Sequence, residues 1–446
     1  MLGWLFPRPP VRVHEKAWIE YRIAWLVKKL GERRLLDAQL IEPTDAFFPD
    51  EYHGQASDAE AMYRRVCGLM RVNSQDIQFE VLPADDMPSA GGHYDCTDPA
   101  RKPIVRVADT KISDPEGLVA TLAHEIAHHI LLGGGLMTGE EEDHELTTDL
   151  LPCVLGLGIF AANSTIRTSS SSSGTWHWWS YERRGYMPSH SIGYALAIFA
   201  WLRNQRSPSW ARHLRLDARE SLAKGLRYLR RKGDCYITHD QLGAMRAPTL
   251  AELSQRLETG TPSLRVQALW DAAKHASGRE LTGDVQRLLR HGDPSVRSAA
   301  MQAVAELSID DEATINELDR ALGDVAYEVR ASAARALGVL LPGRQNVVVD
   351  LGFALEDDTS EVRIAAAMSL LHYGQQAAPA EKNILTALHQ ALIDCNYSMI
   401  DLLIEVIRAA SGDPGQSIND YFFEHDLEFR QAAIDALYGE HAQDSQ

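Results

Sequence analysis

The strongest constraint on how this chain folds is a register that recurs along its C-terminal part. Aligned on Leu264-Arg265, Val296-Arg297, Val329-Arg330, Val362-Arg363 and Phe429-Arg430, the units lie 32, 33, 33 and 67 residues apart. Three positions after each arginine stands an alanine: Ala268, Ala300, Ala333, Ala366 and Ala433. Seven after it comes an apolar side chain: Ala272, Val304, Leu337, Leu370 and Leu437. Such offsets mark one face of a helix. The 67-residue step leaves room for a degenerate unit near Ser398-Met399-Ile400, which makes six repeats of about 33 residues. Asp293, Asp324 and Asp357 or Asp358 precede the motif as caps. A unit this short cannot bury its apolar face alone, so each must be a helix pair stacked on its neighbours.

Two common helical repeats of similar length are excluded by their signatures, since neither TPLHxA nor WxxLGxxY occurs. The units resemble HEAT repeats, in the short form also found in bilin lyases. That resemblance implies an all-α solenoid over residues 248–440 with a concave face for a protein partner or peptide. The arginines are expected to bond to acids of the adjacent unit. A tetrapyrrole-binding role like that of the bilin lyases is a separate expectation.

The N-terminal part is organised around His124-Glu125-Ile126-Ala127-His128, which reads HExxH. On a helix, residues four apart share a face, so both imidazoles can address one ion. Neutral imidazole is a good zinc ligand, and Glu125, about 100° round the helix, can reach a water bound there. Leu118, Leu122, Ile126 and Ile130 fall opposite the histidines and would bury. Asp114-Pro115-Glu116 supplies start signals, a cap, a first-turn proline and an acid. Gly133-Gly134-Gly135 should stop the helix.

A hydrolytic zinc site takes three protein ligands and leaves a position for water. The metzincin pattern fails, because Leu131 would have to be glycine and Gly134 histidine. Downstream, Glu145 and Asp149 form ExxxD. Here the chain resembles the gluzincin clan of metallopeptidases, the thermolysin-like group. The resemblance implies Glu145 as third ligand and Asp149 as the acceptor that orients a zinc histidine. Asp149 itself, as in aspzincins, and the adjacent His144 remain rival ligands. His129 falls on the apolar side and reads as structural. The clan's fold also implies an edge strand beside the metal that pairs with substrate backbone; either strand of the hairpin described next could be that edge.

Residues 14–31 show helical spacing closed by Gly31, Leu35–Ile41 an extended stretch, Asp58–Met70 a helix and Ile77–Leu82 a strand. Segments 90–95 and 103–107 read as a hairpin, with His93 and Tyr94 candidates to line a cleft. One helix is expected from Glu145 to Ala162, kinked at Pro152, another opened by the stretch Arg183–Tyr194 and running to Arg203, and a further one from Trp210 to Arg231. Ser169–Ser173 reads as a loop anchored by Trp176, Trp178 and Trp179. Tyr186, His190 and Tyr194 are the candidate donors to a developing oxyanion. The expected architecture is therefore an α+β zincin-like domain over 1–247, with an upper α+β part (1–135) and a helical lower part (136–247), followed by the solenoid.

A net charge of −18 argues against nucleic acid or an anionic membrane as partner. No apolar run reaches the ~18 residues of a membrane span. The five scattered cysteines lack CxxC spacing and read as reduced core thiols of a cytoplasmic protein. The N-terminal residues lack the basic and apolar regions of a signal peptide. The reading these features support is an intracellular Zn2+-dependent peptidase acting on a peptide or protein substrate, its HEAT repeats recruiting substrate or partner. The alternative is a catalytically silent zinc-binding scaffold.

Overall fold

The computed structural model describes residues 8–87, 91–98, 100–164, 187–238, 242, 246–341 and 343–439. The chain is mostly helical, with one small mixed sheet, and divides into two compact units, Met1–Arg246 and Ala247–Gln446. No described helix is long and apolar enough to cross a membrane.

In the first unit the elements run α1 (Val13–Leu30), α2 (Glu32–Leu36), α3 (Ala56–Leu69), β1 (Gln78–Leu82), β2 (Gly92–Asp95), β3 (Ile104–Ala108) and α4 (Pro115–His128). Then come α5 (His144–Val154), α6 (Gly158–Ser164), α7 (Ser189–Leu202) and α8 (Leu216–Lys232). The sheet order is β1-β3-β2. β1 lies parallel to β3, with Gln78 opposite Ile104, and β2 antiparallel, with Gly92 opposite Val107. Central β3 is almost continuously apolar and buried, as a strand covered on both faces must be. The hairpin expected from the sequence is thus β2–β3, and β2 is the edge strand that packs beside α4.

Several boundaries differ from the sequence reading. Residues 32–36 form a helical turn with Asp37 still in helical dihedrals, so Leu35–Ile41 is not a strand. The helix expected over Glu145–Ala162 is two helices. Pro152 lacks an amide hydrogen, and the chain turns so that the Leu157 amide bonds the Pro152 carbonyl before α6 begins. Residues Ser209–His213 are a 3-10 turn, and α8 starts only at Leu216. The serine run, its three tryptophans and Tyr186 lie outside the described residues.

α7 is apolar all round and is buried accordingly. It packs tightly on α8 through two glycines. A Cβ on Gly193 would strike the Ala218 carbonyl, and one on Gly225 would strike Ala197 and the Tyr194 ring. Under this pair lies a buried polar knot. Lys16 meets Glu20 at 2.9 Å and Asp234 at 3.5 Å, the Tyr194 hydroxyl donates to Glu20 at 2.7 Å, and the Tyr236 amide donates to the same carboxylate at 3.1 Å. It ties the first helix to the end of the unit.

The second unit holds six helix pairs among its described residues: α9 (Leu250–Thr259) with α10 (Pro262–Lys274), α11 (Thr282–Leu288) with α12 (Pro294–Glu306), and α13 (Glu312–Ala321) with α14 (Tyr327–Leu340). The others are α15 (Gln345–Ala354) with α16 (Ser360–Tyr373), α17 (Glu381–Ile393) with α18 (Tyr397–Ala410), and α19 (Pro414–His425) with α20 (Leu427–Tyr438). Each motif arginine sits on the second helix of its pair, and Ile400 takes that place on α18. The repeated alanines Ala268, Ala300, Ala333 and Ala366 are fully buried where consecutive second helices meet. Asp293 caps α12 through the Ser295 amide at 2.9 Å, as its position suggests. All five cysteines are free; Cys67, Cys153 and Cys235 are core residues, whereas Cys96 and Cys395 are exposed rather than buried.

Candidate metal centre

α4 starts with Pro115 at its first position and Glu116 in its first turn, and it buries Leu118, Leu122 and Ile126 completely. The opposite face therefore presents His124 and His128. After His128 the helical run continues as a π-helical turn over His129–Gly133 and ends at the glycines, Gly134 capping it and Gly135 taking a positive φ.

α5 brings the third residue. Oε2 of Glu145 stands 3.3 Å from Nε2 of His124 and 3.4 Å from Nε2 of His128. One ligand atom from each of the three residues lies within 4.8 Å of the others, so His124, His128 and Glu145 could hold a metal ion. Two imidazoles and one carboxylate are the donor set of many hydrolytic zinc sites, and the spacing leaves these atoms able to close on one cation.

The backing residues fix that geometry. Asp149, one turn after Glu145 on α5, places Oδ1 2.8 Å from Nδ1 of His124, while Oδ2 accepts from the Met187 amide at 2.6 Å. Both oxygens are engaged behind the ring, on the side away from Nε2. The Thr148 hydroxyl, which donates to the His144 carbonyl at 2.8 Å, lies 3.4 Å from Nδ1 of His128. His144 bonds the Glu141 carbonyl through Nδ1 at 2.9 Å and sets Nε2 3.2 Å from Oε1 of Glu145, the oxygen that does not face the other two histidines.

α5 is itself held from a distance. Trp18 Nε1 donates to Oδ2 of Asp143 at 2.7 Å, and Arg22 grips both oxygens of that carboxylate from α1. Asp143 immediately precedes α5, so α1 fixes the end of the helix that bears Glu145.

Glu125 is 5% exposed, and burial pushes its carboxyl up to about pKa 7, the nearby carboxylates of Glu145 and Asp149 adding to the shift against His124. The backbone of β2 runs against it: a Cβ on Gly92 would collide with the Glu125 carboxylate and the Thr121 methyl. Only glycine permits this approach of the edge strand. Burial also lowers the His128 pKa. For His124 burial acts the same way, but hydrogen bonds to Asp149 and Glu145 outweigh it and hold the pKa well above the ordinary histidine value. Burial would raise Glu145, yet the two imidazoles dominate and keep it low.

Tyr94 on β2 lies alongside His128, ring centroids 6.3 Å apart and nearly parallel, and its hydroxyl meets Nδ1 of His129 at 3.1 Å. His129 is thus a strand-to-helix tie, as its off-axis position suggests. Of the candidate oxyanion donors, Tyr194 is fully buried with its hydroxyl on Glu20, and His190 sets Nε2 3.5 Å from Glu15. Their described polar contacts lead to α1 and not to the metal-ligand triad. Thr148, Tyr94 and the Trp18–Arg22–Asp143 grip carry no spacing signal in the sequence.

The candidate metal centre lies in the first unit and the repeats in the second, and comparison with known proteins reaches the repeats. Residues 250–338 match the HEAT-repeat family. This covers the first three helix pairs. HEAT repeats point to protein partners for this unit. No curated protein matches the chain, and no peptidase family was found for it.

Proposed function

We propose that the first unit is a zincin-like metallopeptidase of gluzincin type that hydrolyses peptide bonds, and that the HEAT unit recruits its substrate or a partner protein. The observation that carries this reading is the convergence of His124, His128 and Glu145, with Asp149 behind His124 and buried Glu125 on the same helix. The donor set fits Zn2+, which when bound would polarise a scissile carbonyl and acidify water.

The chain's own residues would do the rest. Asp149 holds the proton of His124 on Nδ1 and leaves Nε2 as the donor atom. Glu125, its carboxyl lifted to about pKa 7, takes a proton from the attacking water and returns it to the leaving amine. β2 is the strand beside α4, the place where an extended substrate backbone would pair, and Gly92 brings that strand against Glu125. Tyr186 remains the candidate for the oxyanion donor among the three first considered, since Tyr194 and His190 point to other partners.

The test is digestion of an unstructured protein such as casein by the wild-type chain and a Glu125→Gln variant of equal zinc content. Cleavage abolished by Glu125→Gln supports the mechanism. Equal cleavage by both removes Glu125 from it. Zinc bound without cleavage by either favours the silent scaffold.

A further inference from the structure

The two histidines of the candidate centre are backed by different chemistry. Oδ1 of Asp149 stands 2.8 Å from Nδ1 of His124. Nδ1 of His128 faces a neutral group, the Thr148 hydroxyl, at 3.4 Å. Thr148 is fully buried and His128 is 8% exposed, so solvent is largely kept from the pair. Thr148 and Asp149 follow Glu145 by three and four residues on α5, the offsets that share a helix face. One turn thus carries the third residue of the triad and both backing groups.

A hydroxyl has one proton and two lone pairs, and a carbonyl can only accept. The Thr148 proton goes to the His144 carbonyl at 2.8 Å. Towards His128 the same oxygen therefore offers a lone pair. That contact is satisfied when the His128 proton sits on Nδ1, which leaves the lone pair of a neutral ring on Nε2, the nitrogen 3.4 Å from Oε2 of Glu145. The Glu145 carboxylate pulls the other way, because next to Nε2 it favours a proton on that atom. A metal ion at Nε2 requires the proton on the far nitrogen, so an acceptor waiting at Nδ1 lowers the cost of binding. At 3.4 Å the Thr148 contact is longer than an ordinary N–H···O bond, whereas Asp149 holds His124 at a normal distance. His128 is the more loosely backed histidine of the two.

We propose, on the reading of these residues as a metal centre and independently of peptide hydrolysis, that Thr148 is the positioning residue of His128: its hydroxyl, aimed by the His144 carbonyl, holds the imidazole proton on Nδ1 and presents Nε2 to the ion. The hydroxyl does for His128 what the Asp149 carboxylate does for His124, with a weaker bond and no added charge.

The test compares the full chain with Thr148→Val, which keeps the shape and loses the hydroxyl, and with Thr148→Ser, which keeps the hydroxyl and loses the methyl. Zinc affinity is measured by chelator competition, and imidazole N–H resonances are recorded on the zinc-loaded chain labelled with 15N-histidine. Thr148→Val should bind zinc about 10-fold more weakly, and Thr148→Ser should stay within about threefold of the wild type. One imidazole N–H resonance should move in the valine variant and return with serine. A packing role alone predicts the reverse order, serine weaker than valine, since only serine loses buried carbon. That order, or wild-type affinity in Thr148→Val, overturns the proposal and leaves the metal centre standing. A wild-type chain that binds no zinc overturns both. Should Thr148→Val fold poorly, Thr148→Ala is set against Thr148→Ser, a pair that differs in the hydroxyl alone.

Discussion

Oδ1 of Asp149 lies 2.8 Å from Nδ1 of His124, on the side of the imidazole opposite the Nε2 that faces Glu145. The same carboxylate takes the Met187 amide through Oδ2, so one residue both orients His124 of the candidate centre and anchors the start of the segment leading into α7. Asp149→Asn replaces one of these acceptors by an NH2 group, which opposes either His124 or the Met187 amide. Zinc affinity, measured by competition with a chromogenic chelator, should fall by about 10- to 100-fold, with the helical content by circular dichroism retained.

Arg22→Ala tests whether α1 sets the position of Glu145, the proposed third ligand, without touching it. The substitution frees Asp143 at the head of α5, and zinc affinity should drop several-fold although no donor atom is altered. Unchanged affinity would mean that α5 is positioned by its own packing.

Zinc bound at the proposed site should leave on acidification. Protons compete for the imidazole nitrogens, and the carboxylates that surround His124 strengthen its hold on a proton. Zinc occupancy in dialysis should therefore decline as the pH falls from 8 towards about 5, within the range where histidines titrate.

The polar knot beneath α7 predicts a loss of stability at high pH. Burial raises the Tyr194 hydroxyl above 10.0 and the Cys235 thiol above 9.0; for Lys16 burial pulls the other way, but Glu20 and Asp234 outweigh it and lift the ammonium above 10.5. Each group holds its proton more tightly folded than unfolded. Its contribution is complete below the unfolded value and is lost as the pH rises through the folded one. The urea midpoint of the first unit should thus fall as the pH rises above 9.0, where the unfolded thiol begins to lose its proton, and more steeply above 10.0 and 10.5. Lys16→Met, which leaves two buried carboxylates without their cation, should cost about 3 kcal/mol at pH 7.

In the HEAT unit, Arg330→Gln removes a bidentate bond between consecutive pairs, both partners being largely buried. A cost of about 2 kcal/mol in denaturant unfolding is expected.

How much of this could be read from the sequence follows from the range of each interaction. His124, His128 and the repeated arginines announce themselves because one helical turn or one repeat fixes their spacing. The Glu145–Asp149 pair is one turn apart on α5, but its roles come from the resemblance to the gluzincins, and spacing alone leaves Asp149 and His144 as rival third ligands. The Tyr94–His129 tie and the Arg22–Asp143 grip join residues 35 and 121 positions apart, and no periodicity encodes such pairs. The identity of the edge strand needed the pairing of β1 with β3, which two short apolar runs do not specify. Tyr194 stands among the three candidate donors because nothing in its sequence neighbourhood shows that its hydroxyl donates to Glu20.

The measurement that bears most directly on the central claim is zinc content of the purified chain, by inductively coupled plasma mass spectrometry, beside Glu145→Ala and His144→Ala. The site described here predicts about one zinc per chain in the wild type, nearly none in Glu145→Ala, and close to the wild-type value in His144→Ala. A wild-type chain without zinc after metal-replete purification, or a Glu145→Ala variant that keeps it, would contradict the account.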